Sequence, residues 1–253
     1  MTKNGKRVAW VTGGGSGIGE AGAEALAADG WTVVVSGRRK DALETVVAKI
    51  TKAGGTAEAI ALDVSNAAAA QKAADQIVAR HGRIDLLVNN AGINVPKRSW
   101  KDMELEGWDK LVQVNLNGVL YCMHAVLPTM RKQQDGSIIN VSSWAGRHVS
   151  KMPGPAYTTT KHAVLALTHS FNMDECINGL RACCLSPGEV ATPILKLRPV
   201  VPTAEEQARM LQSEDLGRTI AFVAGMPPRV CINEILISPT WNRTFVQTPA
   251  HLG

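Results

Sequence analysis

Aromatic residues are scarce in this chain of 253, at 4%, while 45% of positions are hydrophobic and Gly and Ala are plentiful. That balance belongs to an ordinary globular protein, and disorder is not expected outside the ends. Long apolar runs are missing: none approaches the roughly 20 residues that span a bilayer. The opening Met1-Thr2-Lys3-Asn4-Gly5-Lys6-Arg7 leads into a strand without an apolar signal region. These absences predict a soluble, cytoplasmic protein with no membrane partner. Metal-ligand spacing is missing among the five cysteines, Cys122, Cys176, Cys183, Cys184 and Cys231, so no metal is predicted. Cys183-Cys184 falls in a predicted buried strand, and all five are expected to be reduced core residues. The net charge of +5 has no aromatic interleaving in its densest stretches, Lys3 to Arg7, Arg38-Arg39-Lys40 and Arg131-Lys132. No nucleic-acid partner is predicted from it.

What is present is alternation. Val/Ile/Leu runs at Arg7 to Thr12, Thr32 to Ser36, Ala57 to Leu62, Ile84 to Asn89, Ser137 to Ser142, Arg181 to Ser186 and Glu234 to Ile237 read as strands covered on both faces. Between them Gly17 to Asp29, Arg39 to Ala53, Ala67 to His81, Leu105 to Met130, Pro155 to Ile177 and Asp215 to Ala224 read as helices. Right-handed crossovers then build one α/β domain, a doubly wound, Rossmann-type, seven-stranded parallel sheet with helices on both faces. Residues Glu189 to Gln212 interrupt it, broken by Pro193, Pro199 and Pro202 and closed by a short helical piece, Ala204 to Leu211. A long insertion at the ligand edge predicts a substrate lid.

Tyr157 and Lys161 stand four apart at a helix start, one loop beyond Ser142-Ser143. Positions i and i+4 share a helix face, so phenol and ammonium can meet one cleft. A nearby cation is expected to lower the phenol pKa and fit it for proton transfer to an alcohol oxygen. Thr12-Gly13-Gly14-Gly15-Ser16-Gly17-Ile18-Gly19 follows the first strand and opens the first helix, the setting for a pyrophosphate on backbone N–H groups. The second strand ends Ser36-Gly37-Arg38-Arg39 with no carboxylate before Asp41. An acidic residue there would select NAD; cations select the 2′-phosphate of NADP. Arg38 is the candidate for that phosphate, with NAD still possible because Ser16 supplies no second cation.

With Asn89-Asn90-Ala91-Gly92, Asn115, Ser143 and Pro187-Gly188 in the same order, the chain resembles the short-chain dehydrogenase/reductase family over nearly its whole length. The resemblance implies cofactor contacts from Gly13, Ser16, Gly17, Ile18, Gly19, Arg38, Arg39, Asp63, Val64, Asn90, Ala91, Gly92, Tyr157, Lys161, Pro187, Gly188, Val190 and Thr192. It implies a catalytic set of Asn115, Ser143, Tyr157 and Lys161, with Asn115 holding a relay water on its backbone carbonyl. Ser142 competes with Ser143. The spacing from Ser143 to Tyr157 is one residue longer than usual in the family, and Lys151-Met152-Pro153-Gly154-Pro155 looks like the site of the extra residue. The last strand, Asn233-Glu234-Ile235-Leu236-Ile237, is similar to the 3-hydroxy-acid and serine dehydrogenase branch.

The implied activity is hydride transfer between NAD(P) and a secondary alcohol, hydroxy acid or carbonyl. Two other readings stay open: a catalytically silent dinucleotide-binding sensor or scaffold, and a ketoacyl-carrier reductase docking through Arg131 and Lys132. Asn94, Val95, Trp144, His148, Met152, Ile194 and Leu195 are candidate substrate walls. Lys196 and Arg198 are candidates to meet a substrate carboxylate. Apolar residues on more than one face of Leu105 to Met130 and Pro155 to Ile177 suit burial against a symmetry mate, and the family resemblance implies a homotetramer through these helices.

Overall fold

Among the described residues there are seven strands: β1 (Val8–Thr12), β2 (Thr32–Gly37), β3 (Thr56–Ala61), β4 (Leu86–Asn89), β5 (Gly136–Val141), β6 (Leu180–Pro187) and β7 (Glu234–Ile237); the inner ones are buried on both faces, and the edge strands β3 and β7 only partly. The computed structural model describes residues 6–198, 200–243 and 245; Lys3 to Gly5 of the first basic stretch, and Pro199 of the insertion, lie outside the described residues. The strands pair in parallel in the order β3-β2-β1-β4-β5-β6-β7. Thr12 stands opposite Ser36 on one side and Asn89 on the other. Chain direction of build reverses there, so the loops leaving β1 and β4 part and open a crevice at the carboxyl edge.

Among the described residues eight α-helices connect the strands: α1 (Gly17–Ala28), α2 (Lys40–Lys52), α3 (Ala67–His81), α4 (Leu105–Val112), α5 (Gly118–Gln133), α6 (Pro155–Glu175), α7 (Ala204–Ala208) and α8 (Ser213–Ala224). Alternate strand residues feed two cores. Val8, Trp10, Val34 and Leu87 pack under α3, α5 and α6. Ala9, Val11, Val33 and Val88 pack under α1, α2 and α8. The sheet is therefore doubly wound in one domain, as the alternation predicts. Polar groups on the central strands pair across the cores: the Trp10 indole donates to Ser36 Oγ at 2.9 Å, and Asn89 donates to Asn140, which donates to Thr168, each at 2.9 Å.

Three expectations need correction. The helix expected over Leu105 to Met130 is two helices joined by a π-helical turn, Gln113–Asn117, because Asn115 turns its side chain to the backbone of Ile93. The short helix of the insertion ends at Ala208 rather than Leu211. Leu211 instead forms a parallel bridge with Val190, donating to Glu189 O at 3.0 Å. Cys122, Cys183 and Cys184 are buried, but Cys176 and Cys231 are exposed, in the turn after α6 and the loop before β7. On α5 and α6, Val119, Met123, Val126, Val164 and Phe171 belong to the buried core, whereas Leu120 is exposed. Among the described residues no helix is long and apolar enough to cross a membrane.

Candidate active site

The crevice at the β1/β4 reversal is a cavity of about 430 Å³ that runs from Arg38 at one end to Met152 and Ile194 at the other. Its floor is made by locking two loops together. Thr12 Oγ1 accepts from the backbone N–H groups of Asn90 (3.1 Å) and Ala91 (3.2 Å), and Asn90 Nδ2 donates to the carbonyls of Thr12 (3.2 Å) and Gly13 (3.1 Å). Gly13 sits at φ 63°, and a Cβ there would lie 2.8 Å from Ala91 Cα. Only glycine meets both conditions. Ser16 precedes α1 in an extended conformation and makes no side-chain cap. The first turn of α1 therefore has no side-chain acceptor for its N–H groups, and its residues Gly17 and Ile18 line the cavity, a setting that suits an anion.

Ser16, Gly17, Ile18, Asn90, Ala91 and Gly92 line the walls of this end, with Pro187, Gly188, Val190 and Thr192 across from them. Gly19 is not part of the wall; it is packed behind it, where a Cβ would meet Asn90 Nδ2 at 2.4 Å. Arg38, Arg39, Asp63 and Val64 also line the cavity. The Ser65 hydroxyl, donating at 2.6 Å, holds the Asp63 carboxyl below its usual range, helped by the Ser65 N–H and by the charge of Arg38. Neither Arg38 nor Arg39 is held in an ion pair among the described residues.

The other half of the cavity is built by α6. Gly154 and Pro155 start the helix, placing Tyr157 and Lys161 on the cavity side. Lys161 is only 4% exposed; its Nζ donates to Val141 O at 2.9 Å and lies 5.5 Å from the Tyr157 ring centre. Burial pulls this ammonium from 10.5 to about 8. The serine pair divides its work. Ser142 Oγ donates to Lys161 O at 2.9 Å, while Ser143 Oγ hydrogen-bonds the Tyr157 side chain and accepts from Ala145 N. Ser143, not Ser142, thus meets the phenol.

One expectation about this group is corrected. Burial raises the Tyr157 phenol above its ordinary value, and the groups opposing the rise are Ser143, Arg198 and Arg98 rather than Lys161. A buried ammonium committed to a carbonyl is a weak source of phenolate stabilisation, and desolvation outweighs it. Asn115 is fully buried behind the wall, its Oδ1 accepting from Ile93 N at 2.8 Å and its Nδ2 donating to Ile93 O at 2.9 Å. It still borders the group: a Cβ on Gly92 would lie 3.5 Å from Asn115 Oδ1 and 3.6 Å from Lys161 Nζ.

Asn94, Trp144, Met152, Ile194 and Leu195 line the remaining wall. Asn94 is already engaged, donating to Pro153 O at 3.1 Å and accepting from Val95 N at 2.8 Å. Of the other expected walls, His148 is stacked on Trp144, ring centres 4.4 Å apart, and Val95 packs over Gly107; neither lines the cavity. Arg198 is bonded to Glu189 at 2.6 Å, and Glu189 also pairs with Arg243. Burial pushes the Glu189 carboxyl up, yet the Arg243 and Arg198 bonds together hold it below its usual range. Arg198 is therefore spent inside the insertion. Arg98 and Glu189 are site residues that sequence reading gave no role; a charge in a loop shows its sign but not its neighbours.

The sequence model of the short chain dehydrogenase family matches residues 7–199. An uncharacterised oxidoreductase of Staphylococcus aureus is 32% identical over 239 residues, covering 94% of this chain and all of that one. An alcohol dehydrogenase from the archaeon Thermococcus sibiricus, complexed with 5-hydroxy-NADP, superposes with a TM-score of 0.84 at 26% identity, over 94% of this chain and 98% of its own. The closed form of a serine dehydrogenase complexed with NADP+ superposes with a TM-score of 0.84 at 28% identity, over 92% of this chain and 94% of its own. Sheet order, crevice and sequence agree: the chain belongs to the short chain dehydrogenase family of oxidoreductases.

Proposed function

We propose that the protein is an NADP(H)-preferring oxidoreductase that interconverts a secondary alcohol, or a hydroxy acid, with its carbonyl compound. The observation that carries this reading is the convergence of Ser143, Tyr157 and Lys161 on one half of a cavity whose other half offers an open helix N-terminus and two unpaired guanidinium groups. The residues fit the cofactor: Arg38 and Arg39 suit the 2′-phosphate, and the α1 N-terminus suits the pyrophosphate. The nicotinamide, when bound, supplies or accepts the hydride.

The chain's own part is proton management. In reduction, Ser143 and Tyr157 donate hydrogen bonds to the substrate oxygen as negative charge grows on it, each worth a few kcal/mol in comparable sites. Tyr157 then gives up its proton. Lys161, poised at about 8, exchanges a proton close to neutral pH and reloads the phenol through water held at the Asn115 carbonyl. The segment Glu189 to Gln212 acts as a lid, and the protein works in the cytoplasm as a homotetramer.

A silent sensor would have no use for a buried ammonium beside a serine-bonded phenol. Carrier docking through Arg131 loses support because Arg131 is committed to Glu175 through two hydrogen bonds. The reading is tested with a panel of alcohols, hydroxy acids and carbonyls followed by cofactor absorbance, with NAD and NADP in parallel; no turnover of any compound would sink it. Within it, Arg38→Ala is expected to weaken NADP binding by about 1.5–3 kcal/mol, the range for a charge-assisted hydrogen bond, and to leave NAD binding nearly unchanged. Equal weakening of both, in calorimetric titrations, would remove Arg38 from the phosphate site. For the assembly, Leu120 on α5, Met173 in the last turn of α6 and Ile177 in the turn after it are exposed apolar residues suited to a mate's surface. Sedimentation is expected to give a tetramer; a stable monomer at micromolar concentration would contradict it.

A further inference from the structure

Arg98 is a buried cation that the mechanism leaves without a task. It follows β4 in the loop that carries Asn94, is 9% exposed, and lines the cavity beside Tyr157 and Met152. Its charge reaches the Tyr157 phenol, where it helps oppose the rise caused by burial. A guanidinium offers five N–H donors. Here Nη2 donates to the Leu197 carbonyl, and the buried Nε has no acceptor. No carboxylate pairs with Arg98 among the described residues, and burial first, then the neighbouring Arg198, lowers its pKa from the ordinary arginine value.

The rest of the molecule shows what this side chain lacks. Arg83, Arg131, Arg147 and Arg243 each present the edge formed by Nε and Nη2 to a carboxylate, those of Asp85, Glu175, Glu234 and Glu189. That edge matches the two oxygens of a carboxylate. Arg98 lines the cavity with its Nη2 on the Leu197 carbonyl and its Nε without an acceptor, and among the described residues no acid meets that edge. Its position is built rather than incidental. Gly154 adopts φ 80° and lies so close that a Cβ there would meet the Arg98 carbonyl at 2.2 Å and its Cβ at 2.9 Å. Asn94 clamps the same two loops through Pro153. A buried, unpaired guanidinium is costly to the fold, and a ligand that brings the missing anion removes the cost.

We propose that Arg98 binds a carboxylate on the substrate, so that the site takes short oxo acids and hydroxy acids in preference to neutral ketones and alcohols. This rests on the oxidoreductase reading above. Arg198 cannot play the part, since Glu189 occupies it, and Glu189 itself is neutralised by Arg198 and Arg243.

The test uses the full chain with NADPH and three oxo acids, 2-oxopropanoate, 3-oxobutanoate and 4-oxopentanoate, each against its primary amide, in the parent and in Arg98→Met and Arg98→Gln. The parent is expected to favour at least one acid over its amide by tenfold or more in kcat/KM. Both variants are expected to lower that acid-to-amide ratio by about 10- to 100-fold, the range for one lost charge-assisted hydrogen bond. A parent that treats acids and amides alike overturns the proposal. So does an equal loss on acid and amide, which would mean that Arg98 only ties down the insertion through Leu197. Calorimetric titration of the same acids onto the NADP-loaded protein reads the site without turnover. Acid binding that weakens at least tenfold in both variants supports Arg98 even where no compound is reduced, and that combination would sink the oxidoreductase reading instead. No acid binding by the parent overturns the proposal.

Discussion

Tyr157→Phe is expected to lower kcat by more than about 100-fold, the lower end of what a positioned acid/base contributes, while cofactor affinity stays within about threefold. The ring keeps its place on α6, and only the proton and its bond to Ser143 are lost. Burial already holds this phenol above its ordinary value, so near neutral pH it is a proton donor in the empty cleft. Steady-state rates and a cofactor titration on the same preparation check both halves. A kcat within tenfold of the parent would take Tyr157 out of the acid/base role, and a parallel loss of cofactor affinity would mean that the ring, rather than the proton, matters.

Lys161→Met should abolish turnover and yet stabilise the cofactor-free protein. The ammonium titrates at about 8 in the folded chain against 10.5 when unfolded. The unfolded chain therefore holds the proton more tightly, and below pH 8 the fold carries a penalty of about 3 kcal/mol at 1.36 kcal/mol per pK unit. The penalty lifts as pH rises from about 8 to about 10.5, because the unfolded state alone still binds the proton there. Met removes the charge but leaves Val141 O without its donor, an opposing cost of about 1–2 kcal/mol. The net gain of about 1–2 kcal/mol at pH 7 is expected to raise the thermal midpoint by roughly 2–8 °C, at about 2–4 °C per kcal/mol for a chain of this size. Near pH 10 the gain should vanish or reverse. A variant less stable than the parent at pH 7 would show that the lysine serves the fold, not the chemistry.

Much of this architecture was legible before any coordinates. Strands covered on both faces are written as Val/Ile/Leu runs, and all seven lie where those runs predict them, with ends shifted by a residue or two. Glycine turns, the Arg38-Arg39 pair and the Tyr157/Lys161 spacing are local features, so their positions along the cavity follow once the strand order is known. Features set by distant partners were not legible. The π turn at Gln113–Asn117 depends on Asn115 reaching Ile93, a contact across 22 residues. The direction of the Tyr157 shift depends on how much of the ring is desolvated. Arg98 is harder still, because its meaning lies in an acid that is not there, and Arg198, which looked free in sequence, is bound by Glu189. Spacing reports which groups share a face; only packing reports which of them are already spent.

The central claim is that this cavity moves hydride between a nicotinamide and a carbon bearing oxygen. Its most direct test is label transfer: the parent is incubated with the best carbonyl compound of the panel and NADPH deuterated at C4 on one face or the other, and the alcohol is analysed by mass spectrometry. The account predicts one deuterium on the carbinol carbon from one labelled face only, and none when Tyr157 is Phe. NADPH that binds tightly but passes no label to any compound would contradict it and leave a dinucleotide-binding protein without the chemistry.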